Sequence, residues 1–188
     1  MASVVAPRSF ADRIMWDKRI KPALIALAVG GIGYLIGAYY VAPRLAAQQP
    51  GYMPTAYAAL PSGMVFLALE DGSTALLPVR IADTGTARDL GFRQVGEQAF
   101  ENTFLLYTLP REATTRTSYS VEGLRAPVEF AAIDASGAVV SITRAQLAAT
   151  RVSIAERHQW LLAAKAGTFE RFGVTVGTAI DPSRTVKF

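Results

Sequence analysis

The hydrophobic pattern divides the chain into two regions. Residues 22–42 form one apolar run without a charged side chain, and a helix of that length crosses the hydrocarbon core of a bilayer. After about residue 64, apolar positions recur in short runs bounded by turn-forming residues, which is typical of strands. The pattern therefore predicts one transmembrane helix followed by a β-rich domain.

The second region predicts a mostly β fold, a small antiparallel barrel-like or sandwich domain that carries two or three short helices. Its expected strands cover residues 65–69, 75–82, 103–109, 128–133, 138–142, 159–164 and 174–180. Its expected short helices cover residues 84–92, 144–150 and 167–172.

Four segments follow from these patterns. We expect a basic cytoplasmic tail with a short interfacial helix, a transmembrane helix, an extended linker and an extracytoplasmic β-rich domain, at residues 1–21, 22–43, 44–63 and 64–188. The linker is expected to be extended because it contains repeated prolines and almost no charge, which favours a semi-stiff spacer.

Charge placement predicts the orientation of the helix. The net charge is +4, and five basic side chains precede the apolar run whereas only Arg44 follows it closely. Because basic flanks stay in the cytoplasm, we expect a single-pass protein of the bacterial inner membrane with its C-terminal domain in the periplasm. This basicity is a topology signal. It gives no support for binding to nucleic acid, which requires a basic face on the folded domain.

A cleaved signal peptide is the alternative interpretation of the apolar run, because residues 45–47 resemble part of a small-residue cleavage site. The apolar region of a signal peptide has roughly 7–15 residues. The longer run in this chain favours a retained anchor.

Several side chains in and beside the run indicate contacts in the membrane. Gly30, Gly33 and Gly37 fall on one helical face and allow a neighbouring helix to approach closely, which predicts packing against integral membrane subunits. Aromatic side chains are enriched where lipid meets water, and the expected membrane-interface residues are Trp16, Tyr39 and Tyr40.

The set of reactive side chains argues against an enzyme. There is no cysteine, which excludes disulfides and thiolate chemistry, and His158 is the single histidine. Glu122 and Glu129 are candidates for a carboxylate pair, although a solvated pair is the simpler interpretation. Asp71 and Asp134 fall in turns, where aspartate binds its own backbone. The sequence therefore predicts no catalytic residue, no cofactor and no metal site.

Five short strings between residues 64 and 180 follow the order of the motifs of one known family. They lie at residues 79–84, 88–92, 103–107, 127–137 and 166–177. The most specific is Ala166-Gly-Thr-Phe-Glu-Arg-Phe-Gly-Val-Thr-Val-Gly177. On these motifs the chain resembles the bacterial domain of unknown function 192 family, a small β-rich domain that is often exported or membrane-anchored. The resemblance implies the same β-rich fold here.

The departures from this resemblance are polar positions. The family's lysine and asparagine ahead of its Pro-Leu-Asp segment are absent from residues 120–124, and the following aspartate is replaced by Glu129. A strand glutamate is replaced by alanine near Ala163, and the last aspartate is Thr178. The glycine, proline and core positions match. The resemblance therefore implies a retained scaffold with a depleted polar site.

These observations favour a non-catalytic accessory subunit of a larger photosynthetic, respiratory or transport complex. One helix is expected to anchor the chain in the lipid bilayer, and the outer β domain to stabilise the assembly. The candidate contacts with partner subunits are Tyr52, Tyr57, Arg111, Arg116 and Arg125. The alternative is a membrane-tethered periplasmic binding module for a small ligand or envelope component, which predicts a concave pocket with convergent polar groups.

Overall fold

The computed structural model describes residues 20–68, 72–101, 103–113 and 117–187. Most of the basic tail lies outside these ranges. Three residues discussed in the sequence analysis also lie outside them, namely Trp16, Asp71 and Arg116. The chain forms two compact units, residues 1–46 and residues 47–188.

The described part of the first unit is one continuous apolar helix. Helix α1 covers Ile20–Ile36, a π-helical turn follows at Gly37–Val41, and helix α2 covers Ala42–Ala47. The stretch Leu24–Ala47 is long and apolar enough to cross a membrane, and no part of its apolar window is buried. Its 24 residues extend about 36 Å, compared with about 30 Å for the hydrocarbon core of a bilayer.

The helix ends at Ala47 rather than at residue 43, where its end was expected. A proline has no N–H to donate to the carbonyl four residues earlier, so Pro43 interrupts ordinary helical bonding. A wider π turn lies immediately before it, in which the Ala42 N–H bonds to the Gly37 carbonyl. This turn allows the helix to continue past the proline.

The described part of the second unit contains nine strands. They are β1 (Ser62–Ala68), β2 (Thr74–Ala82), β3 (Phe104–Ala113), β4 (Thr117–Ser120), β5 (Val128–Ile133), β6 (Val139–Ala145), β7 (Arg151–Ile154), β8 (His158–Lys165) and β9 (Ala179–Lys187). Seven of them form one sheet in the order β6-β5-β8-β3-β2-β1-β9, and β4 pairs with β7 in a second sheet. Strands β2 and β3 are parallel, and the other pairs are antiparallel. The predicted mostly β fold is confirmed.

Backbone hydrogen bonds link the two edges of the large sheet. Ala138, just ahead of β6, forms a bridge with Ala179 at the start of β9. Beside this bridge the Val139 N–H donates to the Thr178 carbonyl at 2.9 Å. The sheet thus closes on itself, in agreement with the barrel-like interpretation.

The large sheet buries apolar side chains on both faces, because neighbouring residues of a strand point to opposite sides. Leu105 packs in one buried cluster with Tyr57, Phe92 and Phe100 from connecting segments, whereas Leu106 packs in another. We call the second cluster the strand core, and its buried members are Val65, Leu67, Leu77, Val79, Ile81, Phe104, Leu106, Ala131, Ile133, Val139, Leu162, Ala164, Phe169, Val174 and Ile180.

The segment expected to be a linker is partly folded into the second unit. Helix α3 covers Thr55–Ala58, and Tyr57 on this helix is fully buried. Ahead of α3, the Gly96 N–H donates to the Tyr52 carbonyl at 2.7 Å. The prolines indicated an extended spacer. Tyr57 instead packs in the apolar cluster that contains Phe92 and Phe100. Tyr57 is therefore a core residue, and the prediction that it contacts a partner is wrong.

Short helices connect the remaining strands. Helix α4 covers Gly85–Leu90, a 3-10 helix covers Glu97–Phe100, and helix α5 covers Thr168–Arg171. The Thr84 hydroxyl accepts a hydrogen bond from the Ala87 N–H at 3.2 Å and so caps α4. Helices α4 and α5 confirm two of the three predicted helices.

Two predicted elements are wrong. Residues 144–150 do not form a helix, because β6 continues to Ala145 through its pairing with β5, and strand pairing overrides local propensity there. The last strand starts at Ala179 instead of residue 174. Ahead of it, the Thr175 N–H donates to the Thr178 hydroxyl at 2.8 Å, a local bond that favours a turn.

Candidate functional site

A buried histidine and a tyrosine form a hydrogen-bonded pair beside a surface cleft. Tyr119 Oη and His158 Nε2 are 2.6 Å apart, and His158 Nδ1 is 2.8 Å from the Glu156 carbonyl oxygen. Because a carbonyl oxygen only accepts, Nδ1 carries a hydrogen, and in the neutral imidazole Nε2 accepts from the tyrosine hydroxyl. Both ring nitrogens are thus engaged, and His158 is the first residue of β8, one residue ahead of the strand predicted at 159–164.

Strand β3 departs from β8 next to this pair. The pairing between the two strands shifts between Thr108 and Ala113, so that residues 109–112 form a bulge. The Gln159 Nε2 group donates to the Leu109 carbonyl at 2.9 Å and holds the start of the bulge in place. The bulge forms one wall of the cleft.

The cleft has a volume of about 640 Å³, which lies within the range of roughly 300–1,000 Å³ for small-molecule sites. Its walls come from α4, the β3 bulge, β4 and β7. The lining residues are Arg88, Asp89, Leu109, Pro110, Arg111, Glu112, Ala113, Thr117, Ser118, Tyr119, Ser120 and Arg151. The cleft therefore combines charged groups of both signs with several apolar surfaces.

Two arginines of the cleft are held by backbone and hydroxyl groups. Arg88 donates from Nη1 to the carbonyl oxygens of Asp83 and Thr108, at 2.8 and 2.9 Å. Arg151 donates from Nε to the Ser118 hydroxyl and from Nη2 to the Ser118 carbonyl, each at 3.0 Å. These bonds orient both guanidinium groups before any ligand arrives.

The tyrosines beside the cleft are held in the neutral form. Burial raises the pKa of the Tyr119 hydroxyl to about 12, and the positive charge of Arg88 partly opposes this rise. Burial also raises the pKa of Tyr107, whose ring packs edge-on against Tyr119 with centroids 5.9 Å apart. At neutral pH both phenols are protonated and pack in the buried cluster, and the Tyr119 hydroxyl donates to His158.

The other described residues that were predicted to contact partner subunits lie in two places on the second unit. Tyr52 and Arg125 lie together, with the guanidinium carbon 5.8 Å from the centre of the tyrosine ring, a cation–π contact. Arg111 is exposed on the β3 bulge, at the rim of the cleft. Arg88 opens one of the family-like strings, but nothing in the sequence indicated that Arg88, Tyr119 and Arg151 line one cleft, because they lie far apart along the chain.

The predicted helix-packing face is open. A Cβ atom added at Gly30, Gly33 or Gly37 would meet nothing within 4 Å. The predicted interface residues Tyr39 and Tyr40 are 72% and 64% exposed. The first unit thus presents both its glycine face and its aromatic groups to whatever surrounds it.

The two glutamates considered for a carboxylate pair have separate structural partners. Glu122 forms an ion pair with Arg93 at 3.5 Å, and both side chains are exposed. Glu129 Oε2 accepts from the Gly167 N–H at 3.1 Å, at the entry to α5. Each carboxylate is therefore engaged in a different part of the fold.

Asp134 has the turn role that the sequence predicted. Its Oδ1 atom accepts from the Ser136 hydroxyl at 2.6 Å, and from the N–H groups of Ser136 and Ala138 at 2.9 and 3.0 Å. These hydrogen bonds, that of the Ser136 hydroxyl above all, lower the pKa of the Asp134 carboxyl. The structural interpretation of this aspartate is confirmed.

Two of the positions where the resemblance departs from the family pattern are apolar or locally bonded. Ala163 is fully buried in the cluster that contains Leu105, and the Thr178 hydroxyl is engaged by the Thr175 N–H. Within the described ranges, no group of three or more side chains suits a metal ion. The chemistry available at the cleft is therefore that of guanidinium, hydroxyl and carboxylate groups.

Comparisons with known proteins show the fold. No protein-family model and no curated protein matches the chain. A "putative transcription regulator" from Sinorhizobium meliloti 1021 is similar at 20% identity, over 65% of this chain and 94% of its own, with a TM-score of 0.57. A protein of unknown function from Novosphingobium aromaticivorans DSM 12444 is similar at 14% identity, over 70% of this chain and 99% of its own, with a TM-score of 0.54. Identities this low establish a shared fold, and the resemblance to the domain of unknown function 192 family stays a prediction.

Proposed function

We propose that this chain is a non-catalytic accessory subunit of a larger membrane protein complex of the photosynthetic, respiratory or transport kind. Its helix anchors it in a bacterial inner membrane, and its β domain lies on the periplasmic side. The observation that carries this proposal is the uncovered apolar helix Leu24–Ala47 with its glycine face.

The helix needs a surrounding other than water. Leu27, Val29 and Tyr34 on this helix are 77%, 64% and 75% exposed, and apolar area left in water is unfavourable by about 25 cal/mol per Å². Contact with lipid removes these apolar side chains from water. Lipid alone does not explain the glycine face, because a flat backbone surface packs no better against lipid than other helix faces do. A second helix, in contrast, packs closely against such a face.

The orientation rests on the charges that flank the helix. Basic side chains concentrate ahead of residue 22, and residues 45–63 contain no lysine or arginine. The cytoplasmic face retains such basic flanks, which supports an N-terminus in the cytoplasm and a domain in the periplasm.

The non-catalytic part of the proposal is supported by how the domain uses its polar groups. His158, Glu129 and Asp134 each hold a turn, a strand end or a helix entry through hydrogen bonds. Both ring nitrogens of His158 are engaged, and one oxygen of each carboxylate bonds to the fold, so a structural role accounts for all three groups. The domain therefore contributes surface and stability to an assembly.

The test is the size of the particle that contains the full chain after mild solubilisation of native membranes. We expect the wild type in a particle well above the 20.1 kDa of one chain. Gly33→Leu is expected to release the chain from this particle, because a bulky side chain prevents close approach of the partner helix. Ala28→Leu makes a similar change on the opposite helical face and is expected to leave the particle intact.

Any one of three results would contradict the proposal. The first is that the wild type migrates alone, and the second is that it migrates only as a pair of identical chains. The third is that Ala28→Leu releases the chain from the particle as readily as Gly33→Leu does. The amount of chain in the membrane fraction serves as the control, since both variants retain the apolar helix.

A second candidate function is a membrane-tethered binding module. The cleft of about 640 Å³ beside Tyr119 supports it, because this module requires a concave site with converging polar groups. The two functions are compatible within one chain.

A further inference from the structure

We propose that the cleft between the β3 bulge and the β4–β7 sheet binds a small organic anion with a single carboxylate, held by Arg88 and Arg151. This inference rests on the second candidate function and is independent of the helix. The role as a subunit and the role of the cleft can therefore fail separately.

The first argument is the way in which the two guanidinium groups are held. Arg88 uses only Nη1 for its two carbonyl partners, Asp83 and Thr108, and Arg151 uses Nε and Nη2 for Ser118. The remaining N–H groups, Nε and Nη2 of Arg88 and Nη1 of Arg151, have no protein acceptor within the described ranges. A guanidinium that is oriented in advance loses little entropy when it binds a carboxylate.

The second argument is the charge of the lining. Three arginines face two carboxylates in the cleft, those of Asp89 and Glu112, which leaves a net charge of +1 on the described lining. One negative charge on the ligand balances this lining. A phosphate monoester carries about −1.5 to −2 at neutral pH and meets repulsion from the two acids.

The third argument is the apolar part of the cleft. Leu109, Pro110, Ala113 and the ring of Tyr119 line it together with the charged groups. The Tyr119 hydroxyl is already bonded to His158, so the tyrosine offers the cleft mainly its ring. An apolar body beside the carboxylate, such as an aromatic ring, therefore suits this site better than a bare inorganic ion.

The experiment uses the full chain in detergent and three probes: benzoate, inorganic phosphate and spermidine. We expect saturable binding of benzoate by calorimetry, with a dissociation constant lower than that for phosphate, and no saturable binding of spermidine. Arg88→Gln and Arg151→Gln are each expected to weaken benzoate binding at least tenfold. Arg151→Lys keeps the charge but loses the planar fork, so it is also expected to weaken binding.

The matched control is Arg93→Gln. Arg93 is an exposed arginine that pairs with Glu122 and does not line the cleft, so its loss is expected to leave benzoate binding unchanged. Circular dichroism of each variant separates loss of binding from loss of the fold. Because Arg88 bonds two backbone carbonyls, Arg151→Gln and Arg151→Lys decide the matter if Arg88→Gln does not fold.

The proposal is overturned if benzoate does not bind saturably, if phosphate binds more tightly than benzoate, or if folded Arg151→Gln binds benzoate as the wild type does. Gly33→Leu separates this inference from the role as a subunit. It is expected to bind benzoate normally even when it no longer assembles, because the cleft lies wholly in the second unit.

Discussion

The helix of residues 20–47 and the β domain that follows it satisfy their side chains in opposite ways. In the domain, apolar side chains fill two clusters and polar side chains such as His158 and Glu129 bond to the fold itself. In the helix, apolar side chains and glycines alike are uncovered. The domain therefore satisfies most of its side chains internally, whereas the described part of the helix leaves its apolar side chains and glycines uncovered.

The test with the largest expected effect compares one leucine from each region. Leu106 is 1% exposed in the strand core, and Leu27 is 77% exposed on the helix. Leu106→Ala is expected to lower the free energy of unfolding of the domain by about 2–5 kcal/mol, because it leaves a cavity. Leu27→Ala is expected to leave it unchanged. Urea unfolding of the full chain in detergent measures both, and equal effects would contradict the division into two units.

A second test concerns the segment that joins the two regions. An added Cβ at Gly96 would overlap the Pro50 carbonyl, whereas at Gly51 it would meet nothing within 4 Å. Gly96→Ala is expected to lower the free energy of unfolding by about 1–3 kcal/mol, since residues 50–52 must shift. It is also expected to speed hydrogen exchange at residues 50–60. Gly51→Ala is the matched control, and an equal loss in both variants would mean that this segment is not packed on Gly96.

A third test compares two buried tyrosine hydroxyls in the domain. The Tyr119 hydroxyl bonds to His158, but the Tyr57 hydroxyl has no hydrogen-bond partner in the described part of the chain. Tyr119→Phe is expected to cost about 1–3 kcal/mol, because it leaves a buried imidazole nitrogen without its partner. Tyr57→Phe is expected to be neutral or slightly stabilising. Thermal unfolding of both variants decides this, and the opposite order would show that the pair does not stabilise the fold.

The smallest expected effect is that of alkaline pH on the stability of the same domain. The pKa of Tyr119 rises from 10.0 to about 12 on folding, so the folded state keeps its proton where the unfolded state loses it. Its contribution to stability is fully present below about pH 10 and is lost as the pH rises towards 12. Tyr119→Phe is expected to flatten this decline in urea titrations between pH 9 and pH 12. An unchanged slope would show that other groups cause it.

Local patterns predicted those parts of the fold in which local and long-range preferences agree. The apolar run, strands β1 and β2 and the Asp134 turn are of this kind, because each is specified by neighbouring residues. Residues 144–150 and 174–180 were predicted wrongly. There, pairing with β5 and a local threonine bond outweigh propensity. The burial of Tyr57 was missed because a proline-rich composition indicates stiffness but does not reveal a neighbouring apolar cluster.

The cleft was not predictable for a different reason. Arg88, Tyr119 and Arg151 belong to three elements, and two of them, β4 and β7, are strands of only four residues. They meet because β4 pairs with β7 and α4 contacts β4. A site assembled by contacts between distant segments has no spacing in the sequence by which it can be recognised.

The most direct measurement of the central claim is a crosslink from the helix in native membranes. The chain has no cysteine, so Ala26→Cys and Ala28→Cys each introduce a single thiol, on the glycine face and on the opposite face respectively. With a thiol-attached photoreactive group, Ala26→Cys is predicted to form a discrete adduct with a different membrane polypeptide, and Ala28→Cys to react mainly with lipid. Absence of a protein adduct from the glycine face, or an adduct only between two copies of this chain, would contradict the account.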